Sequence, residues 1–247
     1  MIKKIIATDF NILNIVNSEI IKSGNTANLN HIDVSQVTSL AYLFRHSEFN
    51  GDISHWDTSN VRTISHIFCD SGFNNDISKW NVSNVRDMKS AFENSRFNGD
   101  ISNWDVCNVE VMFCMFSSSI FNQDISNWNT SNVINMSSLF ANSKFNQDIS
   151  RWKVNSVYLM DHMFSASDFN QDISKWNVSN VGNFNSIFKY SKFKGDISDW
   201  KFNSKLHIDA DLSRVIETSH DIKRQKEAEM LKSNLYLTNK SQLQQSL

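Results

Sequence analysis

Hydrophobic and polar positions along this chain follow a pattern that recurs every 24 residues. The pattern is clearest in residues 49 to 72, FNGDISHWDTSNVRTISHIFCDSG, and it returns six more times without insertion or deletion, the last copy starting at Phe193. A fixed period of this length is typical of proteins whose repeats stack on one another, because one short unit cannot bury its own apolar face. We therefore predict one stacked solenoid with a cap at each end.

The first part of each repeat has the alternation of a short β-strand. Asp52, Ile53 and Ser54 are polar, apolar and polar in turn, and Trp56 closes the segment. Equivalent segments of successive repeats would lie parallel, about 4.8 Å apart. This pattern predicts one short parallel strand in each repeat.

The second part of each repeat has the spacing of a short helix. Its apolar residues lie at positions i, i+3, i+6 and i+7, which is one face of about two helical turns. Ser59 or Asn60 is a suitable N-cap, and residues 70 to 72 form a suitable stop. With the degraded first copy, the chain would have eight strand-like and seven helix-like segments. The apolar residues of this face in the first full copy are Val61, Ile64, Ile67 and Phe68.

Aromatic residues hold the same positions in every repeat. All seven tryptophans fall in one series, and fourteen of the eighteen phenylalanines fall in two. Aromatic residues that bind a base or a sugar must be exposed, whereas these recur wherever a repeat has to be filled. We predict that they form continuous ladders in the core.

The two ends of the chain depart from the repeat. Residues 8 to 24 read as a helix that Thr8 or Asp9 caps, with Gly24 in a left-handed position after it. A degraded copy of the repeat begins at Asn25.

After Phe202 the register is lost. Residues 209 to 237 predict one or two helices, and the polar segment 239 to 247 is typical of a disordered tail. The predicted organisation is an N-terminal helical cap in 1–24, a repeat solenoid in 25–202, and a C-terminal helical cap with a polar tail in 203–247.

Charge and cysteine content exclude several classes of function. The formal net charge is −2, so we expect no binding to nucleic acid. No apolar stretch is long enough to enter a bilayer, and Asp9 and Asn11 interrupt the first apolar run before it reaches signal-peptide length. The three cysteines hold unrelated positions in the repeat, which fits neither a disulfide framework nor a metal site. We expect no cofactor and no bound metal.

The motif FNxDISxWxxSNVxxMxxxF resembles the BspA-like leucine-rich repeat proteins, and in particular the repeat of mycoplasma-type surface lipoproteins. The resemblance covers residues 25 to 202. It implies a right-handed, curved α/β solenoid with strands on the concave side, in which Ile53 points inward and residues 61 to 68 form the outer helix. It also implies bacterial surface adhesion and protein binding, and it brings no catalytic residues. Typical members carry an export signal or a lipid-attachment cysteine, and this sequence shows neither.

One aspartate in each repeat is a candidate for binding chemistry. Stacked carboxylates about 5 Å apart would repel one another by about 1 kcal/mol in water, so something must offset the repulsion. The simpler explanation is that each accepts hydrogen bonds within its own turn. The alternative is a calcium ladder, which would need six to eight oxygen ligands per ion. These residues are Asp52, Asp76, Asp100, Asp124, Asp148, Asp172 and Asp196.

The position between the serine and the tryptophan varies while its neighbours stay constant. It should face outward, either as plain solvated surface or, as our hypothesis, as a protein-binding surface. The histidines are scattered and form no Ser-His-Asp pattern, so we expect no enzymatic activity. The variable residues are His55, Lys79, Asn103, Asn127, Arg151, Lys175 and Asp199.

Two functions follow from these observations. The first is a non-enzymatic protein-protein interaction module of bacterial type, displayed on the cell surface or secreted by a signal-independent route. Its partner would be a protein, and host proteins are among the candidates. The alternative is a structural or cation-stabilised array that binds a repetitive target such as glycan through its Asp and Ser ladders. The alternative location is the cytoplasm, and the pattern does not indicate an oligomeric state.

Overall fold

The computed structural model describes residues 4–203 and 208–245. Within these ranges β1 pairs in parallel with β2, and the repeats between β2 and α2 are built from turns and single bridges. Among the described residues, neither helix has the length and apolar character that a bilayer crossing requires. The regular elements are β1 (Ile5–Ile6), α1 (Ile12–Ser23), β2 (Ile32–Asp33) and α2 (Ala210–Gln245).

The helix predicted in each repeat does not form in the described repeats. The N–H groups of Ile64, His66, Phe68 and Asp70 donate to carbonyl groups of the following repeat at 2.8–3.1 Å, instead of bonding within their own segment. His66 and Asp70 have φ values of 56° and 54°, which aims alternate N–H groups along the stack. A two-turn helix is marginal in water, whereas the next repeat offers a matching acceptor for each donor. The apolar residues of the segment are nevertheless buried, as the spacing indicates.

In the full repeats the predicted strand is a turn, apart from one parallel bridge between Asn28 and Asp52, and in the degraded first copy β2 begins at the equivalent of the tryptophan position. The carbonyl of Ile53 accepts the N–H of Trp56 at 3.2 Å and also the indole N–H of Trp80 at 3.1 Å. Because this carbonyl is already used twice, it cannot join a strand ladder. Parallel contact occurs later in each repeat, as single bridges through Ser39, Thr63, Asp87, Val111, Asn135, Leu159 and Asn183.

The predicted aromatic ladders are confirmed. Phe68 and Phe92 stack with ring centroids 5.7 Å apart, and Trp56 and Trp80 stack at 6.2 Å. Every tryptophan is buried, and each indole N–H donates to a carbonyl 27 residues earlier at 3.0–3.2 Å. The aromatic rings therefore fill the core and also join neighbouring repeats through hydrogen bonds.

Asparagine side chains form further ladders between repeats. The side-chain oxygen of Asn98 accepts the N–H of Asn122 at 2.8 Å, and the amide nitrogen of Asn84 donates to the Ser59 carbonyl at 2.7 Å. Equivalent bonds recur along the stack. In the described ranges no buried side-chain nitrogen or oxygen lacks a hydrogen-bond partner. The fold is thus a repetitive stack held together by ladders of phenylalanine, tryptophan and asparagine side chains.

At the N-terminal end, α1 packs Ile12 and Val16 against the first repeat. Asn11 is the N-cap and makes no side-chain capping bond, so the prediction that Thr8 or Asp9 caps the helix is wrong. The Asp9 carboxylate instead accepts the N–H of Thr38 at 2.7 Å, because the open end of the repeat stack offers free donors there. Gly24 follows the helix with φ 84° and ψ 172°.

At the C-terminal end, the carboxylate of Asp209 accepts the N–H of Leu212 at 2.8 Å and so caps α2. Leu212 and Ser219 are buried against the last repeat, where the Ser219 hydroxyl accepts the N–H of Ile197 at 3.1 Å. A single helix takes the place of the predicted one or two, and it includes residues 239–245 that we expected to be disordered. Residues 246–247 of that segment lie outside the described residues.

Candidate protein-binding surfaces

The variable residues predicted to bind a partner occupy one position in seven successive repeats. We call this set, His55, Lys79, Asn103, Asn127, Arg151, Lys175 and Asp199, the turn column. Each lies in the turn that the preceding aspartate closes, and all seven side chains are exposed. The structure therefore brings these residues into one row with one member in each repeat.

The aspartate of each repeat fixes this turn. Its Oδ1 accepts the N–H of the serine two residues later at 2.8–3.0 Å in all seven copies. The pKa of Asp76 lies below its usual value, chiefly because it accepts the Ser78 N–H. This geometry is the one expected if each aspartate accepts hydrogen bonds within its own turn. Within the described residues, no three His, Cys, Asp or Glu side chains are grouped as metal ligands.

The C-terminal end of the turn column meets α2. Lys223 of the helix donates to Asp199 at 2.7 Å, and this hydrogen bond lowers the pKa of the Asp199 carboxyl. Lys175, Asp199 and Lys226 line one open cavity of about 660 Å³ between the last repeats and the helix. The repeat pattern gave no sign of these contacts, because α2 lies outside the periodic part of the chain.

A second row of equivalent positions, not predicted from the sequence, has four exposed and three half-buried members. We call it the exposed stripe: Thr38, Arg62, Arg86, Glu110, Ile134, Tyr158 and Gly182. The N–H of each member from Arg62 onward donates to the carbonyl of the preceding member at 2.8–2.9 Å. The backbone of the stripe is therefore regular, whereas its side chains differ in chemistry apart from the two arginines. The signal in the sequence is the position after the repeated valine, which holds a different class of residue in most copies.

The exposed stripe changes character along its length. Arg62 and Arg86 line an open cavity of about 530 Å³ together with Thr38 and three amide side chains. Arg86 forms an ion pair with Glu110, whereas Arg62 has no acidic partner in the part of the chain that the structure describes. Farther along, Ile134 and Tyr158 are 48% and 61% exposed.

The Tyr158 ring lies flat across the next repeat. A Cβ atom built on Gly182 would come within 2.5 Å of the ring. Glycine at this position therefore lets an aromatic side chain rest on the backbone while one face stays open to solvent. Exposed tyrosine held in this way is typical of interface anchors.

Two cysteines and the Ser65–His66 pair carry side chains of the types that nucleophilic catalysis uses. Burial raises the pKa of Cys69 to about 12 and that of Cys114 to about 11. The Ser65 hydroxyl lies 2.8 Å from His66 Nδ1, but no carboxylate among the described residues is hydrogen-bonded to that histidine. Burial also lowers the pKa of His66. These groups do not form the linked nucleophile, base and orienting acid that acyl transfer requires.

Stacked 24-residue units with buried aromatic ladders and exposed variable rows define a repeat protein. The family model described as Mycoplasma protein of unknown function, DUF285, matches residues 15–120 and 115–225. The chain belongs to this family. Comparisons with curated proteins and with solved structures find no match.

Proposed function

We propose that this chain is a non-enzymatic protein-interaction module of bacterial type. The observation that carries the proposal is the turn column, in which seven exposed side chains of five types stand on a scaffold whose core positions repeat. A rigid scaffold lowers the entropy cost of binding, because the contacting side chains are already held in place. An exposed row of variable residues on a repeated scaffold is the arrangement that a specific partner would recognise.

A resemblance to a more specific class of surface protein is part of the same proposal. The repeat motif resembles BspA-like leucine-rich repeat surface proteins, which are associated with adhesion and protein binding. On this basis we propose that the chain acts at the cell surface or is secreted by a signal-independent route. We also propose that its partner is a protein, with host proteins among the candidates. Fractionation of the native cell tests the location, and a protein found only in the bacterial cytosol would exclude it.

Charge reversal in the turn column tests the binding surface. The triple variant Lys79→Glu, Arg151→Glu and Lys175→Glu changes three exposed cations. Affinity capture from bacterial and host lysates, followed by titration of the captured protein, should give an affinity at least about tenfold lower for the variant, or about 1.4 kcal/mol. An unchanged affinity rules out the turn column as the interface.

A matched control reverses three cations elsewhere. Arg96, Lys144 and Lys192 occupy the last position of their repeats and are exposed. Lys144 and Lys192 pair with Asp168 at 3.4 and 2.8 Å, but such exposed ion pairs contribute at most about 1 kcal/mol. Their reversal to glutamate should leave partner affinity unchanged. An equal loss in both variants would indicate general electrostatic attraction instead of a defined surface.

The alternative is an array that binds a repetitive target such as glycan. The observation that favours it is the row of aspartates, which stay exposed in five consecutive repeats from Asp76 to Asp172. An array binder would use these repeated residues, and its affinity would rise with the number of repeats. A glycan screen that finds a ligand lost on mutation of Asp100 and Asp124 to alanine would support this alternative over protein binding.

A further inference from the structure

The exposed stripe separates charge from apolar surface. Its N-terminal part holds Arg62 and Arg86, and its C-terminal part holds Ile134 and Tyr158, with Glu110 between them. Arg86 is neutralised by Glu110, so the free positive charge is that of Arg62. A ligand that fits this row needs an acidic group at one end and apolar groups at the other.

The cavity at the cationic end has the width of an extended chain. It is lined by residues of three successive repeats, from Thr38 to Arg86, and has a volume of about 530 Å³. The three repeats are separated by two spacings of about 4.8 Å, or about 10 Å, so the mean cross-section is about 55 Å². An extended peptide fits this cross-section, whereas an α-helix about 10 Å across needs about 80 Å².

The spacing of the stripe defines the order of side chains in such a peptide. Ile134 lies three repeats beyond Arg62, or about 14 Å, and Tyr158 lies four repeats beyond it, or about 19 Å. An extended chain advances about 3.3 Å per residue, so these distances correspond to about four and about six residues. Both numbers are even, and residues at even spacing point to the same side of an extended chain.

Recognition would depend on side chains. The N–H and carbonyl groups of the stripe are engaged by the neighbouring repeats at 2.8–2.9 Å, so they are not free to pair with a peptide backbone. Arg62 presents a planar fork that suits a carboxylate. Ile134 and Tyr158 offer exposed apolar contact. The Arg86–Glu110 ion pair, which lies between Arg62 and Ile134, offers no free charge.

We infer that the exposed stripe binds an extended peptide segment of a partner protein, with an acidic residue opposite Arg62 and apolar residues four and six positions away opposite Ile134 and Tyr158. This inference rests on the proposed protein-binding function, but it uses a different row from the turn column. It specifies which side chains the partner presents and how far apart they lie, which the turn column does not define.

Fluorescein-labelled synthetic peptides test the inference. The probe is Ser-Glu-Ser-Thr-Ser-Leu-Ser-Phe-Ser and its reverse, since side-chain recognition does not impose a chain direction. Comparison peptides carry Lys in place of Glu, or Ser in place of Leu and Phe. Anisotropy titrations with the full chain should show binding of the probe in at least one direction, and each comparison peptide should bind at least about tenfold more weakly.

Variants of the chain identify the surface. Arg62→Glu and Ile134→Asp should each weaken probe binding by about tenfold or more, whereas Arg96→Glu and Met230→Asp, also at exposed positions, should change it by less than about twofold. Raising the ionic strength from about 0.05 M to about 0.5 M should weaken binding of the acidic probe, because the Arg62 contact is screened. Thermal unfolding of each variant verifies that it folds.

Three results would overturn the inference: absence of probe binding, equal binding of the Lys peptide, or insensitivity to Arg62→Glu. Concentration-dependent self-association that Ile134→Asp abolishes would assign the stripe to a second copy of the chain instead. The proposed function fails independently, when lysate capture yields no protein. The triple reversal in the turn column should leave probe binding intact, which separates the two conclusions.

Discussion

Replacement of Trp128 by phenylalanine tests whether the indole hydrogen bonds stabilise the stack. The Trp128 side chain is only 3% exposed, and its Nε1–H donates to the Ile101 carbonyl at 3.1 Å. Its ring lies between Phe116, at a centroid distance of 6.4 Å, and Trp152, at 6.3 Å. Phenylalanine keeps an aromatic ring at this position, but it removes the donor and leaves empty space.

Two contributions set the expected loss of stability. The missing hydrogen bond costs about 1 kcal/mol and not more, because the Ile101 carbonyl keeps the Trp104 N–H at 3.1 Å and is not left unpaired. Phenylalanine is smaller by about 40 Å³, which at about 24 cal/mol per Å³ of remaining cavity adds about 1 kcal/mol. The total of about 2 kcal/mol corresponds to a fall in Tm of about 4–8 °C for a chain of this length.

Guanidinium unfolding followed by fluorescence of the remaining tryptophans, with calorimetry for Tm, measures this change. The denaturant slope should stay constant, since the same surface is exposed on unfolding. Asn127→Ala, at the exposed position beside Trp128, is the control and should change stability by less than about 0.5 kcal/mol. A loss below that value for Trp128→Phe would refute the reasoning, and would mean that the indole bonds add no net stability.

Three further predictions follow from the titratable groups and the C-terminal cap. Changing Asp76, Asp100 and Asp124 together to asparagine should reduce the fall in Tm between about pH 6 and pH 3. Carboxyls with a lowered folded-state pKa stabilise the fold above about pH 4 and lose that effect as pH falls through the folded-state pKa. An unchanged pH dependence of Tm would contradict this. In native protein at pH 8, iodoacetamide should modify Cys69 about a thousandfold more slowly than a free thiol, because burial raises its pKa to about 12; mass spectrometry measures the rate, and equal rates would show that the site opens. Asp209→Ala should cost about 2 kcal/mol in thermal unfolding, because the α2 cap and the hydrogen bond from the Ser186 N–H are both lost. Asp209→Asn should recover only part of it, since the amide has a single acceptor oxygen.

The buried residues could be predicted from the sequence, but their secondary structure could not. Val61, Ile64, Ile67 and Phe68 are all buried, because apolar residues at fixed positions of a repeat must face the stack. Their spacing is shared by a short helix and by consecutive turns. The choice between them depends on whether the N–H groups find acceptors within the segment or in the next repeat, and only the tertiary structure supplies those acceptors.

The candidate surfaces divide in the same way. The turn column is exposed as expected. Each turn is closed locally, because its aspartate accepts the N–H of the serine two residues later. Its role in binding stays a prediction. The exposed stripe was not predicted, because its members follow the repeated valine in a segment that the spacing assigned to a helix. The ion pair of Asp199 with Lys223 was also hidden, because α2 reaches it from outside the repeat.

The sequence by itself determined the period of 24 residues, the aromatic ladders and the set of residues in the core. These depend on which side chains avoid water, and that property is local to each residue. The tertiary structure decided the path of the backbone within each repeat, the regular spacing of the exposed stripe and the contacts of α2. These depend on hydrogen bonds between residues of different repeats, and such partners exist only once the repeats have stacked.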